Sequence, residues 1–237
     1  MSKFFRYFSR TDAVLWGISV FMIVLSAAVF RGGSVLAVIA SLIGVTSIII
    51  NAKGHPAGQL MMIFFALFYG YISWTFSYYG EMMTYLGMTG PMALFSFITW
   101  LRNPFKEGRA EVRVNSLSTA ETVFMCLLTA GVTLIFFYIL RFFHTANLLP
   151  STVSVTTSFA AVYLTMRRSA FFSLVYAMND IVLIVLWAMA STEDVSYVSV
   201  LICFVMFLVS DIYGFVCWMK MKKRQAAENE YPGAERA

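Results

Sequence analysis

Eight apolar runs, each about 18 residues or longer, follow one another along this chain, and its few charges gather between them. Apolar residues fill 60% of the 237 positions and charged residues 12%, about half the charge of a soluble domain. Runs of this length belong in hydrocarbon. No water is present there to satisfy peptide groups, so each run has to form a helix. A β-barrel would show alternating segments of about ten residues, and none occur. The predicted spans are Ala13–Phe30, Ser34–Asn51, Ala57–Tyr79, Met82–Leu101, Ala120–Phe143, Leu148–Met166, Ser169–Ala190 and Ser196–Met219. The fold class is therefore an all-α integral membrane protein with eight transmembrane helices. A cleaved secretory leader is not expected, because Met1–Arg10 carries aromatics and leads straight into a full-length span.

The basic residues orient the spans. With eight crossings, both termini share one side, and fifteen of the seventeen Lys and Arg residues fall on it. Only Arg31 and Arg141 fall on the other. This bias places both termini in the cytoplasm. The net charge of +5 then reflects a face that meets anionic lipid headgroups, and nucleic acid is excluded as a partner. Asn103–Ser118 reads as a charged cytoplasmic connector, and the polar stretch from Gln225 to Ala237 as a disordered tail.

Soluble-type catalysis finds no support. The three cysteines lie inside apolar runs, and His55 and His144 form no metal or nucleophile motif. No phosphate-binding glycine loop, GxSxG or dinucleotide fingerprint occurs. No cofactor, metal ligand or catalytic residue is expected, and the chain does not read as an enzyme.

The chain repeats itself weakly. One half runs from NAKGHPAGQ through a tyrosine-rich span and an external turn to GPMALFSFITWLRN. The other runs from TMRRSA through an Asn-Asp span and an external acidic turn to SDIYGFVCWMKMKK. Spans two to four thus correspond to spans six to eight, with span five between them. One intervening span makes the triplets parallel, an arrangement found in secondary transporters with a midplane site at the repeat interface.

Polar residues inside the spans mark where that site lies. An acid at mid-bilayer costs about 2.5–3.5 kcal/mol, so it faces the bundle interior or a wet cavity. Asp180 stands halfway along span seven beside Asn179, and shares a helix face with Ser173, Tyr176 and Trp187. Span eight aligns Asp211 with Gly214 and Trp218, flanked by Ser210 and Tyr213. Span four aligns Ser96, Trp100 and Asn103, and span three offers Gln59, Tyr69 and Ser73. The candidate substrate-binding set is Gln59, Tyr69, Ser73, Trp100, Tyr176, Asn179, Asp180, Trp187, Asp211, Tyr213 and Trp218. Aromatic faces, amides and a carboxylate suit a planar, hydrogen-bonding, cationic ligand. The structural alternatives stay open. Trp100 and Trp218 also fit an interfacial belt, the tyrosines fit packing, and Asn179, Asp180 and Asp211 fit interhelical hydrogen bonding.

These residues carry a resemblance to the PnuC family of vitamin transporters. LIGVTSIIINAKG and GPMALFSFITWLRN resemble its segments in the first half, and RRSAFFSLVYAMNDIVLIVLW and SDIYGFVCW those in the second. The likeness covers Ser34–Arg224. Three places depart from the family pattern: Phe172 and Val175 stand where a Trp pair is usual, Ser96 replaces a Gly, and Ser210 replaces an Asn.

The resemblance implies three helices, a linking helix and three more, with an extra helix before them. The expected division is 1–33, an amino-terminal segment and extra helix; 34–102, the first triplet; 103–147, the loop and linking helix; 148–224, the second triplet; and 225–237, the tail. It implies facilitated diffusion of nicotinamide riboside without ATP, with cytoplasmic phosphorylation trapping the substrate and feeding NAD biosynthesis. Aromatic residues would sandwich the ring, Asn179 and Gln59 would hold amide or ribose, and Asp180 would offset the pyridinium charge. Thiamine or another vitamin or nucleoside is the same-class alternative, and proton coupling through Asp180 or Asp211 is a variant. A membrane sensor or assembly protein is the alternative from another class. The partners expected are a small-molecule vitamin or nucleoside and the lipid bilayer, and a homo-oligomer is compatible with this reading.

Overall fold

The computed structural model describes residues 7–30, 35–75, 79–106, 110–145 and 147–230. The Lys3, Arg6, Arg31, Tyr78, Arg109 and Arg236 positions lie outside the described residues. Among the described residues there are nine α-helices: α1 (Arg10–Phe30), α2 (Val35–Asn51), α3 (Ala57–Thr75), α4 (Tyr79–Thr84), α5 (Gly90–Leu101), α6 (Thr119–Phe142), α7 (Leu148–Met166), α8 (Phe172–Ser191) and α9 (Val198–Glu230). Six helices among the described residues are long and apolar enough to cross a membrane, and α2 is a shorter apolar helix. Among the described residues there is no strand, only isolated bridges joining Pro104 to Val112 and Asn115 to Ser169.

The helices wear their apolar side outward. In α1 the buried residues are Asp12, Ser19, Ile23 and Ser26, while Val14, Phe21 and Val29 are 59–63% exposed. In α6 only Thr129 and Leu140 are buried. A soluble helix shows the reverse pattern, so these faces fit a lipid solvent.

The span predicted as one helix over Met82–Leu101 is broken. A π-helical turn, Tyr85–Thr89, separates α4 from α5. Its cause is local. Pro91 has no N–H and its ring crowds the carbonyl four residues back. The turn widens just ahead of it, and the Gly90 N–H reaches the Tyr85 carbonyl.

Six elements close a ring. α2 packs on α3, α3 on α5, α5 on α7, α7 on α8, α8 on α9, and α9 returns to α2. Close approach is built in at Gly44, where a Cβ would come within 2.7 Å of the Phe207 ring, and at Gly214, where it would come within 2.9 Å of Ser173 Oγ. α1 lies outside against α9 and α2, and α6 outside against α7.

One end of the ring is basic. α1 starts there and α9 ends there, and Lys53, Arg102 and Arg167 lie in its turns. Residues 110–118, the latter part of the charged connector Asn103–Ser118, dock onto this end. Val112 is fully buried, its N–H bonds the Gly54 carbonyl at 3.0 Å, and the Asn115 N–H bonds the Arg168 carbonyl at 2.9 Å. α9 runs on to meet them. Its Gln225 accepts from the Val114 N–H at 2.8 Å and donates to Glu111 at 2.7 Å. Gln225–Glu230 is therefore helix, not disordered tail, because Gln225 and the Arg224–Glu111 ion pair give the extension something to bind.

Candidate functional site

The ring encloses a cavity of about 140 Å³ between its two halves. It extends from Asn51, Phe172 and Asp211 toward the basic end to Thr145, Ser151 and Leu186 at the other. One wall is aromatic: Phe65 from α3, Tyr85 from the π turn, and Phe204 and Phe207 from α9. Phe65 meets Tyr85 edge-on at 5.8 Å and Phe207 at 6.3 Å between centroids. The facing wall is polar, with Ser154 and Ser158 from α7 and Tyr176, Asn179 and Asp180 from α8.

Asn179 is held in place by α7. Its Oδ1 accepts from Thr157 Oγ1 at 2.8 Å and from Ser154 Oγ at 3.1 Å. The carbonyl oxygen is thereby occupied, and the amide nitrogen keeps two donors for a ligand. Asp180 and Asp211 approach the cavity from α8 and α9, each 4% exposed, and Oδ2 of Asp180 has no hydrogen-bond partner among the described residues.

Below the cavity, toward the basic end, the ring is sealed. Trp100 at the end of α5 donates from Nε1 to the Thr165 carbonyl of α7 at 2.9 Å. Trp218 of α9 donates to the Asn51 carbonyl of α2 at 2.8 Å. Each half thus caps the first helix of the other, and the two indoles lie 5.3 Å apart. Phe172 stands over both, 4.8 Å from Trp218 and 6.2 Å from Trp100. Val112 of the docked connector, Leu164 and Ala170 complete a dry plug.

Four of the eleven residues predicted from sequence line the cavity: Tyr176, Asn179, Asp180 and Asp211. The other seven are placed elsewhere. Trp100 and Trp218 form the seal. Gln59 is 2% exposed and donates to Asn51 Oδ1 at 2.9 Å. Tyr69 backs the aromatic wall, 4.9 Å from Tyr85 and 5.1 Å from Phe65. Ser73 is buried within α3. Trp187 packs on Tyr197 at 5.4 Å. Tyr213 turns to α1 and donates to Asp12 at 2.6 Å, beside the Lys53–Asp12 ion pair at 2.7 Å.

Asn51, Phe65, Tyr85 and Ser154 line the cavity without having been predicted. Asn51 sits where cavity and seal join. Its side chain is fixed by Gln59 and by Ser47, and Ser47 bonds the Gly58 carbonyl at 2.8 Å. Gly58 leaves room for this, since a Cβ there would fall 2.2 Å from Asn51 Oδ1.

Known proteins match this arrangement. The chain is 28% identical over 206 residues to the nicotinamide riboside transporter PnuC of Neisseria mucosa, covering 84% of this chain and 78% of that one. It is 24% identical over 191 residues to the protein of the same name from Haemophilus influenzae, covering 80% and 81%. A crystal structure of the vitamin B3 transporter PnuC superposes with a TM-score of 0.76 at 24% identity, over 92% of this chain and 94% of that one, and so shares the fold. Residues 34–220 match the family model described as nicotinamide mononucleotide transporter, and the chain belongs to that family of membrane transporters.

Proposed function

We propose that this protein takes up nicotinamide riboside by facilitated diffusion. The observation that carries the reading is the enclosed cavity, walled by aromatic rings on one side and by Asn179 and the acid pair on the other, at the junction of two three-element halves. Eight crossings in a three-one-three order with an extra leading helix suit the ring, as does the division at 34–102, 103–147 and 148–224. The basic end faces the cytoplasm, by the Lys and Arg bias, and the membrane is the bacterial inner one. The two halves rock about the cavity. Opening inward separates Trp100 from Thr165 and Trp218 from Asn51, and opening outward restores both bonds. The aromatic wall takes the flat ring, and Asn179 bonds its amide or ribose. Phosphorylation in the cytoplasm traps the substrate, with no ATP spent by the transporter.

The test is flux of labelled nicotinamide riboside into liposomes holding the purified protein, with and without an enclosed kinase. Saturable entry that the kinase turns into accumulation is expected, and absence of saturable entry ends the reading. Thiamine is the second reading, because Phe172 and Val175 stand where the family's Trp pair is usual and Phe172 belongs to the seal. A binding panel of the two vitamins separates them.

A further inference from the structure

The two halves end their first helices in the same way. After α2, the Asn51 carbonyl takes the Trp218 N–H, and three residues on Gly54 turns the chain with φ +66°. After α7, the Thr165 carbonyl takes the Trp100 N–H, and three residues on Arg168 turns the chain with φ +57°. The Gly54 N–H bonds Asn51 and the Arg168 N–H bonds Thr165, both at 2.9 Å. The connector then reaches both turns, Val112 N–H to the Gly54 carbonyl and Asn115 N–H to the Arg168 carbonyl. A left-handed residue past a helix end is ordinarily glycine, because a Cβ disfavours the conformation. Glycine makes this turn in the first half. An arginine makes it in the second, and the backbone gives no reason for its side chain.

Nor does the rest of the protein. Nε and Nη1 of Arg168 are buried and have no acceptor among the described residues. The groups beside it share its sign. The Asn115–Ser169 bridge runs parallel, which brings Arg113, two residues before Asn115, alongside Arg167 and Arg168. Burial and the charges of Arg167 and Arg113 hold the Arg168 guanidinium below the ordinary arginine value. Arg167 pairs with Glu121 of α6. Glu111 of the connector is taken by Arg224 and Gln225 of α9. Arg113 and Arg168 have no ion pair among the described residues. Burying a charge without a partner is unfavourable.

We infer that Arg113 and Arg168, flanked by Arg167, form a binding site for a phosphate-bearing anion at the basic end of the ring, and that this anion fastens the connector to the turn between α7 and α8. Guanidinium groups match phosphate oxygens in shape and charge. A phosphate monoester carries about 1.5 to 2 negative charges at pH 7, which suits two unpaired arginines better than one carboxylate would. Two sources of that chemistry reach a basic membrane face, anionic lipid headgroups and soluble phosphates. Between Arg113 on the connector and Arg168 on the turn, the anion replaces repulsion with attraction and keeps Val112 in the seal. The site lies outside the cavity, so it does not depend on which vitamin is carried.

The test is the melting temperature of the purified full-length protein in lipid-free detergent, titrated with inorganic phosphate against chloride at matched ionic strength. A second arm replaces phosphate with phosphatidylglycerol in mixed micelles, against phosphatidylcholine. A saturable rise is expected. Arg168→Gly should weaken the apparent affinity about tenfold, yet melt within a few degrees of the unaltered protein without ligand, since Gly54 already makes the same turn. Arg113→Gln, at an exposed position, repeats the comparison without touching the turn. A rise with phosphate, weakened in the variants, assigns the site to soluble phosphates. A rise with phosphatidylglycerol alone, weakened in the same way, assigns it to a lipid headgroup. No saturable rise in either arm overturns the inference, as does a rise that the variants leave unchanged. Flux of the vitamin is measured separately, so either outcome leaves the transport reading to its own test.

Discussion

The seal and the cavity are built from the same six elements, less than two helical turns apart, and they treat polar atoms in opposite ways. In the seal every indole N–H has a backbone carbonyl, and Trp100 and Trp218 are 1% and 0% exposed. In the cavity an Asp oxygen has no donor and an amide nitrogen is left for other use. Buried polar groups are normally satisfied. A region that obeys the rule holds the halves together, and one that breaks it is prepared for a guest. The most disruptive way to probe this contrast is to empty the seal. Trp218→Ala removes a fully buried indole and orphans the Asn51 carbonyl, and should cost about 3–5 kcal/mol. Thermal unfolding in detergent should fall by many degrees. A shift no larger than that of an exposed position would mean the plug is not what closes the ring.

The junction comes next. Gly58→Ala would put a methyl carbon 2.2 Å from Asn51 Oδ1 and 2.8 Å from its backbone N. The Asn51–Gln59 bond cannot survive that placement, and a loss of about 1–3 kcal/mol is expected for the two buried amides. Because Asn51 serves both regions, melting temperature and ligand affinity should drop together. Loss of one without the other would show that seal and cavity are independent.

The fold was legible in the sequence because hydrocarbon allows one solution per apolar run, and because the basic turns sort the ends. The broken span was not, since the π turn ahead of Pro91 departs from the 3.6-residue period on which a span is read. In the site, depth and angle decided which expectations failed. Trp218 shares a helix face with Asp211 but lies seven residues on, about 10 Å deeper at 1.5 Å per residue, and so falls in the seal. Trp187 is displaced as far from Asp180 in the other direction. Tyr213 is two residues from Asp211, about 200° round the helix, and faces α1. Gln59 pointed correctly inward, but the partner that consumes it, Asn51, is on the neighbouring helix, and pairing across helices is invisible to periodicity. The acids and Asn179 were legible because their cost in hydrocarbon leaves few places to put them.

A cavity substitution should do the reverse of a seal substitution. Asn179→Ala leaves Thr157 Oγ1 bonded to the Val153 and Ser154 carbonyls, so little stability is lost. The ligand loses its amide partner, worth about 1–1.5 kcal/mol, or roughly tenfold in affinity. Calorimetry with nicotinamide riboside and a melting curve on the same sample give both numbers. A large melting shift with unchanged affinity would make Asn179 a strut of the α7–α8 contact rather than part of the site.

The gentlest lever on the seal is a proton. His55 lies in the turn after α2, directly beyond Asn51, whose carbonyl holds Trp218. Its Nδ1 accepts from the Ala57 N–H at 3.1 Å, a bond that requires an unprotonated nitrogen. Partial burial holds its imidazole below the ordinary histidine value. A depressed histidine binds its proton more readily in the unfolded chain, so acid favours unfolding. Stability should therefore be full above about pH 6.5, the ordinary value, and decline as the pH falls below it. Melting temperature followed from pH 7.5 to 5 should show this decline, and His55→Asn, which keeps an acceptor that cannot titrate, should flatten it. The effect should be confined to melting: nicotinamide riboside affinity should not follow His55, because the turn lies on the seal side of Asn51 and contributes nothing to the cavity lining.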